Sequence, residues 1–377
     1  MSMSKQISDY ILAHQAEAFE LLTTLAKIPA PSHREEKRAA FCKQWLEDQG
    51  AVGVYIDEAC NVIYPIGCTD DNPIVIFSAH LDVVFPDETP LPMEIRDGRI
   101  YCPGVGDDTA GVAALLLAAK YLTETGLQPV DCGVLLVANS CEEGLGNLKG
   151  MRQLFSDFGS RIISLVSFDA SNEYIASHCV GSSRYRLTVT TKGGHSYANF
   201  GNDNAIVQLA ALIVGLNDIK VPTRGKTTFN FGVIEGGTSV NSIAQEASVL
   251  YEFRSDNRED LAEMEAHFRA ALAFHTTKGV QIHAELLGQR PCMGDVDPTQ
   301  QQTLIQRAAE AVRTYYQVEP KFKPSSFDGN IPLSMGIPAV AVNCYFGGGT
   351  HTREEYVEID SLLPGLRLVF DLILDHF

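Results

Sequence analysis

The chain of 377 residues lacks several features that would assign it to a functional class directly. It has no block of Lys and Arg: 29 basic residues stand against 47 acidic ones, for a formal net charge of −18. Phosphates would be repelled, so we expect no nucleic-acid partner. No apolar run approaches the roughly 20 residues of a membrane helix, and the first residues lack the apolar core of a signal peptide. We therefore expect a cytoplasmic protein with no membrane partner.

Cysteine pairing is also lacking. The nine cysteines form no Cys-x-x-Cys motif, and an odd number cannot all pair within the chain. Scattered thiols of this kind are typical of a reducing compartment. The length exceeds that of one ordinary hydrophobic core, which predicts two domains.

The stretch from Pro73 to Val84 is the first strong signal that is present. Its run Ile74–Phe77 predicts a buried strand, because the residues are apolar and mostly β-branched. Alternation places His80 and Asp82 on one side, near the strand end where open α/β sheets bind ligands. A carboxylate can hold one ring N–H of a histidine whose other nitrogen binds a metal. A strand-end histidine bonded to a loop explains this motif equally well.

Acidic side chains follow other predicted elements. Asp107 and Asp108 lie in a glycine-rich turn before an apolar helix, where one of them could instead be an N-cap. Glu142 and Glu143 follow a second buried strand; adjacent carboxylates repel each other unless a positive group is near or the loop is exposed. Asp169 ends a third buried strand. With His80, three buried strands thus end in a histidine or an acid, which favours a site at the strand ends.

Two local patterns concern the N-terminal region. Apolar spacing predicts one helix from about Ser8 to Ala26. Ser32 and Glu35 then form a capping-box pattern, which predicts a second helix that continues to about Asp48.

The periodicity changes from Ser182 onwards and the α/β pattern returns near residue 290. The predicted order in between is β-α-β-β-α-β, the split βαβ arrangement of ferredoxin-like α+β domains. We predict an α/β catalytic domain formed by residues 1–180 and 291–377, with a mixed, mostly parallel sheet flanked by helices. Residues 181–290 would be a domain inserted into it.

Histidines and carboxylates at strand ends and in glycine-rich loops form one candidate constellation. Its members are His80, Asp82, Asp107, Glu142, Glu143, Asp169 and His351. Nitrogen and oxygen donors of this kind suit zinc, and cobalt or manganese could replace it. The set is large enough for two ions that share one carboxylate, with another carboxylate left as general base.

The motifs SAHLDVV, GVGDDTAG, SCEEGLG, SFDAS, GGHS and GGGTHTREEYV follow one another along nearly the whole chain. Together they resemble the di-zinc exopeptidase and amidohydrolase family that includes peptidase T, carboxypeptidase G, aminoacylase and succinyl-diaminopimelate desuccinylase. The resemblance implies a zinc exopeptidase-like catalytic domain with two zinc ions per subunit. It implies that His80 and Asp169 hold one ion and that Glu143 and His351 hold the other. Asp107, followed by a cis peptide bond, would bridge both ions. Asp82 would orient His80, and Glu142 would be the general base.

The inserted domain resembles the lid and dimerisation domain of the same family, which implies a homodimer. By this resemblance His195 faces the developing oxyanion, usually in the neighbouring subunit's site, and Asn241 and Arg254 hold the substrate. Asn330 and Gly349 are further candidates for substrate contacts. Without the resemblance, His195 fits a turn after two glycines, and Arg254 fits a surface strand.

The residue at position 169 bears on the substrate. Family members with Asp there are mostly aminopeptidases and dipeptidases, and the resemblance is closest to peptidase T. It therefore implies an aminopeptidase for di- and tripeptides. An N-acyl amino acid deacylase with the same chemistry is the alternative enzyme, and a metal-binding scaffold without catalysis is the alternative from another class.

Overall fold

A computed structural model describes residues 3–377. Contacts divide them into two units: the first holds the described residues up to Cys179 together with Gly294–Phe377, and the second holds Val180–Met293. In the first segment the helices are α1 (Lys5–Ala13), α2 (Gln15–Leu25), α3 (Glu36–Asp48), α4 (Gly111–Thr125) and α5 (Lys149–Phe158). The strands there are β1 (Tyr55–Ile56), β2 (Val62–Ile66), β3 (Ile74–His80), β4 (Glu94–Arg96), β5 (Arg99–Tyr101), β6 (Gly133–Asn139), β7 (Ile162–Ser167) and β8 (Tyr174–Cys179).

The second unit contributes the next elements in chain order. Its strands are β9 (Gly181–Thr190), β10 (Gly194–His195), β11 (Thr227–Gly236), β12 (Ser242–Ile243), β13 (Glu246–Ser255) and β14 (Gln281–Arg290), and its helices are α6 (Ala205–Asn217) and α7 (Arg258–Thr277). The first unit then resumes with α8 (Pro298–Tyr316), β15 (Lys321–Ser325), α9 (Asn330–Ser334), β16 (Ala339–Val342), β17 (Gly347–Gly348), β18 (Tyr356–Glu358) and α10 (Ile359–Leu374).

The central sheet of the first unit has eight strands in the order β1-β2-β6-β3-β7-β16-β8-β15. The four middle strands β6, β3, β7 and β16 run parallel to one another, whereas β1, β2 and β8 join antiparallel. All seven residues of β3 and all seven of β6 are buried, as expected for parallel strands covered on both faces. The predicted mixed, mostly parallel sheet flanked by helices is confirmed.

Side chains alternate between the two faces of this sheet. One face, which includes Val75, Phe77 and Ala79 of β3, packs into a large apolar core with residues of α4 and α10. The intervening residues of each middle strand point to the opposite face. His80 belongs to that second set, so the core fixes which way the functional side chains point.

The second unit has its own sheet in the order β11-β13-β9-β14, with every neighbouring pair antiparallel. Its separate core contains Leu187 and Val189 of β9, Leu209 of α6 and Phe268 of α7. The chain order of its main elements is β-α-β-β-α-β, as the sequence predicts for a ferredoxin-like domain.

Two predictions for the N-terminal region are wrong. The single predicted helix is two helices, because His14 between them has a φ of −105° and a ψ of 9°, which are not helical, and its ring Nδ1 lies 2.8 Å from the carbonyl oxygen of Tyr10. The capping box does not form. Instead Ser32 Oγ donates to Asp82 Oδ2 at 2.6 Å, and Glu35 Oε1 accepts the N–H groups of His33 and Cys141, both at 3.0 Å.

None of the helices described over residues 3–377 combines the length and the apolarity that a membrane crossing requires. All nine cysteines are free thiols.

Candidate metal centre

The carboxyl ends of three neighbouring parallel strands meet at one edge of the central sheet. His80 ends β3, Glu142 and Glu143 follow β6, and Asp169 follows β7. His80 Nε2 lies 3.9 Å from Asp169 Oδ1. The strand order therefore gathers side chains that are separated by up to 89 positions in the sequence.

Asp107 lies between the two histidines of the cluster. It follows Gly104, which has a φ of 75°, and sits in a kinked turn, Val105–Ala110, before α4, where its own φ of −99° and ψ of 96° are not helical. Its Oδ1 is 2.8 Å from His80 Nε2, and its Oδ2 is 3.1 Å from His351 Nε2. The peptide bond from Asp107 to Asp108 is cis, as the resemblance implied. A carboxylate whose two oxygens face different histidines has the arrangement of a bridging ligand.

The remaining groups complete two overlapping sets. His351 Nε2 is also 2.9 Å from Glu143 Oε1. Donor atoms within 4.8 Å of one another occur in the set His80, Asp107 and Glu143 and in the set His80, Glu142 and Asp169. All six side chains proposed to bind metal or act as base therefore lie in one cluster.

Asp82 differs from its expected contact. The His80 ring is held by the backbone carbonyl of Asp82, at 2.9 Å from Nδ1, whereas the nearest carboxylate oxygen is 3.6 Å away. The carboxylate instead accepts the N–H groups of Glu142 and Glu143, each at 2.9 Å. Asp82 thus orients the ring through its main chain and the two glutamates through its side chain.

Three buried groups that sequence reasoning missed hold the cluster in place. Glu355 accepts the N–H groups of Gly104, Gly106 and Asp107 at 2.8–2.9 Å. Asp108 accepts the N–H of His80 at 2.9 Å, and neither aspartate of the turn caps a helix through its side chain. Arg38 donates to the carbonyl of Leu81 at 2.7 Å. Nothing in the sequence distinguishes Glu355 from its neighbour Glu354, but in the structure Glu355 is buried and Glu354 is exposed.

Burial and mutual repulsion shift the ionisation of the cluster. Burial raises the pKa of Glu143 to about 7, and the charge of Asp107 adds to the shift. Burial also raises the pKa of Asp169 well above its usual value. Hydrogen bonds to Asp107 and Glu143 raise the pKa of His351 to about 10. Burial opposes the charged form of His80, but its hydrogen bond to Asp107 and the charges of Asp169, Asp107 and Asp108 together outweigh that effect, so its pKa is raised as well.

The family profile described as peptidase family M20/M25/M40 matches residues 76–375. The chain belongs to this peptidase family. The resemblance inferred from the motifs is therefore confirmed, and so is the prediction that the protein is an enzyme, a peptidase or amidohydrolase.

Named relatives of this M20 protein include enzymes with different substrates. A succinyl-diaminopimelate desuccinylase from Psychrobacter arcticus is 26% identical over 81% of this chain and 78% of that protein. A tripeptidase structure from Staphylococcus aureus covers 95% of this chain and 97% of its own, with 22% identity and a TM-score of 0.75. The Bacillus subtilis YXEP structure, described as a dinuclear metal-binding peptidase of the M20 family, covers 97% and 99%, with 17% identity and a TM-score of 0.64. The structural similarities establish the shared fold.

The donor set of this M20 protein fits a pair of divalent cations. Four carboxylates, those of Asp107, Glu142, Glu143 and Asp169, face two histidines. Even with both rings protonated, the cluster would keep a net negative charge if all four acids were ionised. Imidazole and carboxylate donors around a bridging aspartate suit zinc, cobalt or manganese, and bound cations would compensate this charge.

In the inserted unit, His195 and Asn241 lie close together. β10 pairs with β12 so that His195 is opposite Ser242, and Ser196 N–H donates to the carbonyl of Asn241 at 2.9 Å. His195 is exposed, and its Nδ1 accepts the N–H groups of Tyr197 and Ala198 at 3.2 and 3.3 Å. These contacts place the proton of the neutral ring on Nε2, which becomes an outward donor.

The other substrate candidates have partners of their own. Arg254 Nη2 lies 2.9 Å from Glu252 Oε2 on the same strand, the contact expected of a surface strand arginine. Asn330 is buried, and its Oδ1 accepts the N–H of Phe327 at 2.9 Å. Gly349 has a φ of 71° in the loop before His351, a conformation that favours glycine.

Proposed function

We propose that the protein is a zinc-dependent aminopeptidase that hydrolyses di- and tripeptides. The observation that carries the proposal is Asp107, whose two carboxylate oxygens face His80 and His351 within a cluster that also holds Glu142. The fold shared with a tripeptidase and the aspartate at position 169 support short peptides with a free amino end as substrates.

The ligands divide between two ions. His80 and Asp169 would hold one zinc ion, Glu143 and His351 the other, and Asp107 both. Zinc bound there would polarise the scissile carbonyl and lower the pKa of the attacking water. Cobalt or manganese would suit the same donors.

Glu142 is the group left to move protons. It is 4% exposed, and its N–H is held by Asp82. In the proposal its carboxylate takes a proton from the attacking water and then gives it to the leaving nitrogen. The bond to Asp82 fixes the main chain from which this carboxylate projects.

His195 would donate from Nε2 to the oxyanion that forms in the neighbouring subunit's site, with Asn241 and Arg254 holding the substrate and Asn330 and Gly349 lining its site. The dimer this requires is supported by an exposed apolar edge. β11 is an edge strand, on which Val233 is 48% and Ile234 61% exposed. Light scattering during size-exclusion chromatography tests this step; a catalytically active monomer would contradict it.

Deacylation of N-acyl amino acids is the second candidate, because the desuccinylase relative aligns with 81% of the chain. The family membership argues against the scaffold that lacks catalysis. The test compares turnover, by zinc-loaded protein, of trialanine, N-acetyl-trialanine and N-succinyl amino acids. We expect hydrolysis of trialanine and loss of turnover once its amino end is acetylated. Preferential cleavage of the succinyl or acetyl group would instead establish the deacylase.

A further inference from the structure

A group of buried polar side chains lies next to the metal centre and has no role in it. The members share 0% exposure and at least one polar atom with no partner among residues 3–377; they are Ser78, Asn139, Ser167, Asp328 and Asn343. The unpartnered atoms are Ser78 Oγ, Asn139 Oδ1, Ser167 Oγ, Asp328 Oδ1 and both amide atoms of Asn343. A buried polar atom without a partner destabilises the folded state, so a group of them indicates an unseen partner.

Four of these side chains lie on the same face of the central sheet. Their immediate neighbours along each strand belong to the apolar core on the opposite face: Phe77 and Ala79, Ala138, Val166 and Phe168, and Val342 and Cys344. Alternation therefore turns the polar residues to the face that carries His80.

The strand register shows which of these residues are neighbours. Ser78 of β3 pairs directly with Ser167 of β7, and Asn139 of β6 pairs with His80. Asn343 lies two residues beyond Ala341, the partner of Ser167 on β16. Direct cross-strand neighbours have Cβ atoms about 5 Å apart and diagonal ones about 7–8 Å, so Ser78 lies close to both Asn139 and Ser167, whereas Asn139 and Asn343 are three strands apart and cannot bind the same ion.

Asp328 contacts this group through Asn139. Its Oδ2 accepts a hydrogen bond from Asn139 Nδ2 at 2.7 Å, while Oδ1 has no partner in the described chain. No Lys or Arg of residues 3–377 forms an ion pair with it. Asp260, equally buried in the second unit, is instead paired with Arg224 at 2.6 Å. A buried carboxylate without a cation is costly, and burial with the nearby charge of Glu142 raises the pKa of Asp328 to about 7.

We propose that Ser78, Asn139 and Asp328 form a binding site for a monovalent alkali cation, sodium or potassium, beside His80. Its ligands would be Asp328 Oδ1 and the unpartnered oxygens Ser78 Oγ and Asn139 Oδ1. One carboxylate among neutral oxygens matches a single positive charge. Calcium sites recruit more carboxylates, and zinc prefers nitrogen or sulfur donors. Water alone could satisfy the hydrogen bonds but supplies no positive charge beside Asp328.

The site would act on the metal centre by fixing its base. Asn139 is the last residue of β6, three positions before Glu142, and its carbonyl accepts the N–H of Leu81 at 2.6 Å. A cation bound to Asn139 would therefore tie together the ends of β3 and β6, from which His80 and Glu142 project.

The thermal midpoint of the zinc-loaded protein tests the site in sodium, potassium or choline chloride at equal ionic strength. Choline is too large to take the place of an alkali cation among these buried side chains. We expect a midpoint roughly 2–4 °C higher in one or both alkali salts than in choline. In Asp328→Asn the difference should disappear, whereas Asp260→Asn, the buried carboxylate with its own arginine, should keep it. Equal midpoints in all three salts, or a difference that survives in Asp328→Asn, would overturn the proposal.

Crystals of the unchanged protein soaked in thallous acetate give a direct test if Asp328→Asn does not fold. Thallous ion replaces alkali cations and scatters anomalously. A peak bonded to Asp328 Oδ1 is expected, and its absence there would refute the site. Neither readout uses peptide hydrolysis, so this proposal and the proposed aminopeptidase activity can fail separately.

Discussion

The metal centre and the inserted unit hold their functional side chains in different ways. In the metal centre, Asp82 alone receives hydrogen bonds from Ser32, Glu142 and Glu143, and Glu355 receives three more from the turn of Asp107. In the inserted unit, His195 is exposed, and its ring accepts hydrogen bonds from the N–H groups of its own turn. The first region is built to keep a fixed geometry, whereas the second presents a donor to something outside its own core.

The largest effect is expected when the proposed base of the metal centre, Glu142, is replaced. Glu142→Gln preserves size but cannot accept the proton of the attacking water. We expect kcat to fall by about 10²–10⁴-fold while bound zinc stays unchanged. Steady-state kinetics and elemental analysis measure the two quantities. The exposed Glu36→Gln is the matched control, and unchanged turnover in Glu142→Gln would remove this residue as the base.

Replacing the exposed His195 should also lower kcat, but by less. His195→Ala removes one donor to the oxyanion, so we expect kcat to fall by about 10²–10³-fold. The fold of the second unit should not change, because the ring packs into no core. Circular dichroism and peptide kinetics check both expectations.

Mixing two inactive variants distinguishes whether His195 acts in its own subunit or in the neighbouring one. A heterodimer of His195→Ala with Glu142→Gln contains one site with both native groups only if the histidine acts across the dimer. Recovered activity after subunit exchange supports the trans arrangement. A mixture as inactive as its components, with exchange shown by mass spectrometry, would place His195 in its own subunit.

The contrast also explains what could be predicted from the sequence. The middle strands are buried on both faces and therefore read as continuous apolar runs, so their ends, with His80, Glu143 and Asp169, could be located. β15 is an edge strand with a proline and little burial, and the sequence pattern does not distinguish it from a loop.

Contacts between distant residues could not be predicted. Glu355 reaches Asp107 across 248 positions, and Asn139 reaches Asp328 across 189. Neither pair has a periodic signal, because each depends on how loops from separate elements meet. The capping-box error has the same cause: Ser32 has a partner in Asp82 that local sequence cannot reveal.

Glu355 provides the next prediction, since it supports a metal ligand without touching the substrate. Glu355→Gln replaces an acceptor oxygen in the bonds to Gly104, Gly106 and Asp107. We expect zinc affinity to fall by about 10–100-fold, with kcat recovered at saturating zinc. Competition with a chromogenic chelator measures the affinity. The adjacent, exposed Glu354→Gln should bind zinc like the unchanged protein, and equal affinities for both variants would contradict the supporting role of Glu355.

The smallest effect concerns pH, and it should have opposite signs with and without metal. In the zinc-free protein the pKa of Glu143 is raised from 4.5 to about 7, and that of His351 from 6.5 to about 10. The folded state then binds more protons than the unfolded state between these values, so its stability should fall as pH rises through them. With zinc, protons compete for the same ligands, so stability should instead rise with pH.

Thermal midpoints in a chelator and in zinc, measured from about pH 5 to about pH 9, separate these trends. Glu143→Gln is the informative variant, because a side chain that does not titrate makes the slope below about pH 7 shallower in the chelated protein, while other buried acids such as Asp169 still contribute. A surface carboxylate such as Glu36 should make no difference when changed to glutamine. Parallel curves with and without zinc would mean that the buried carboxylates are already compensated by the protein itself, and the metal centre would then lose the electrostatic reason for its cations.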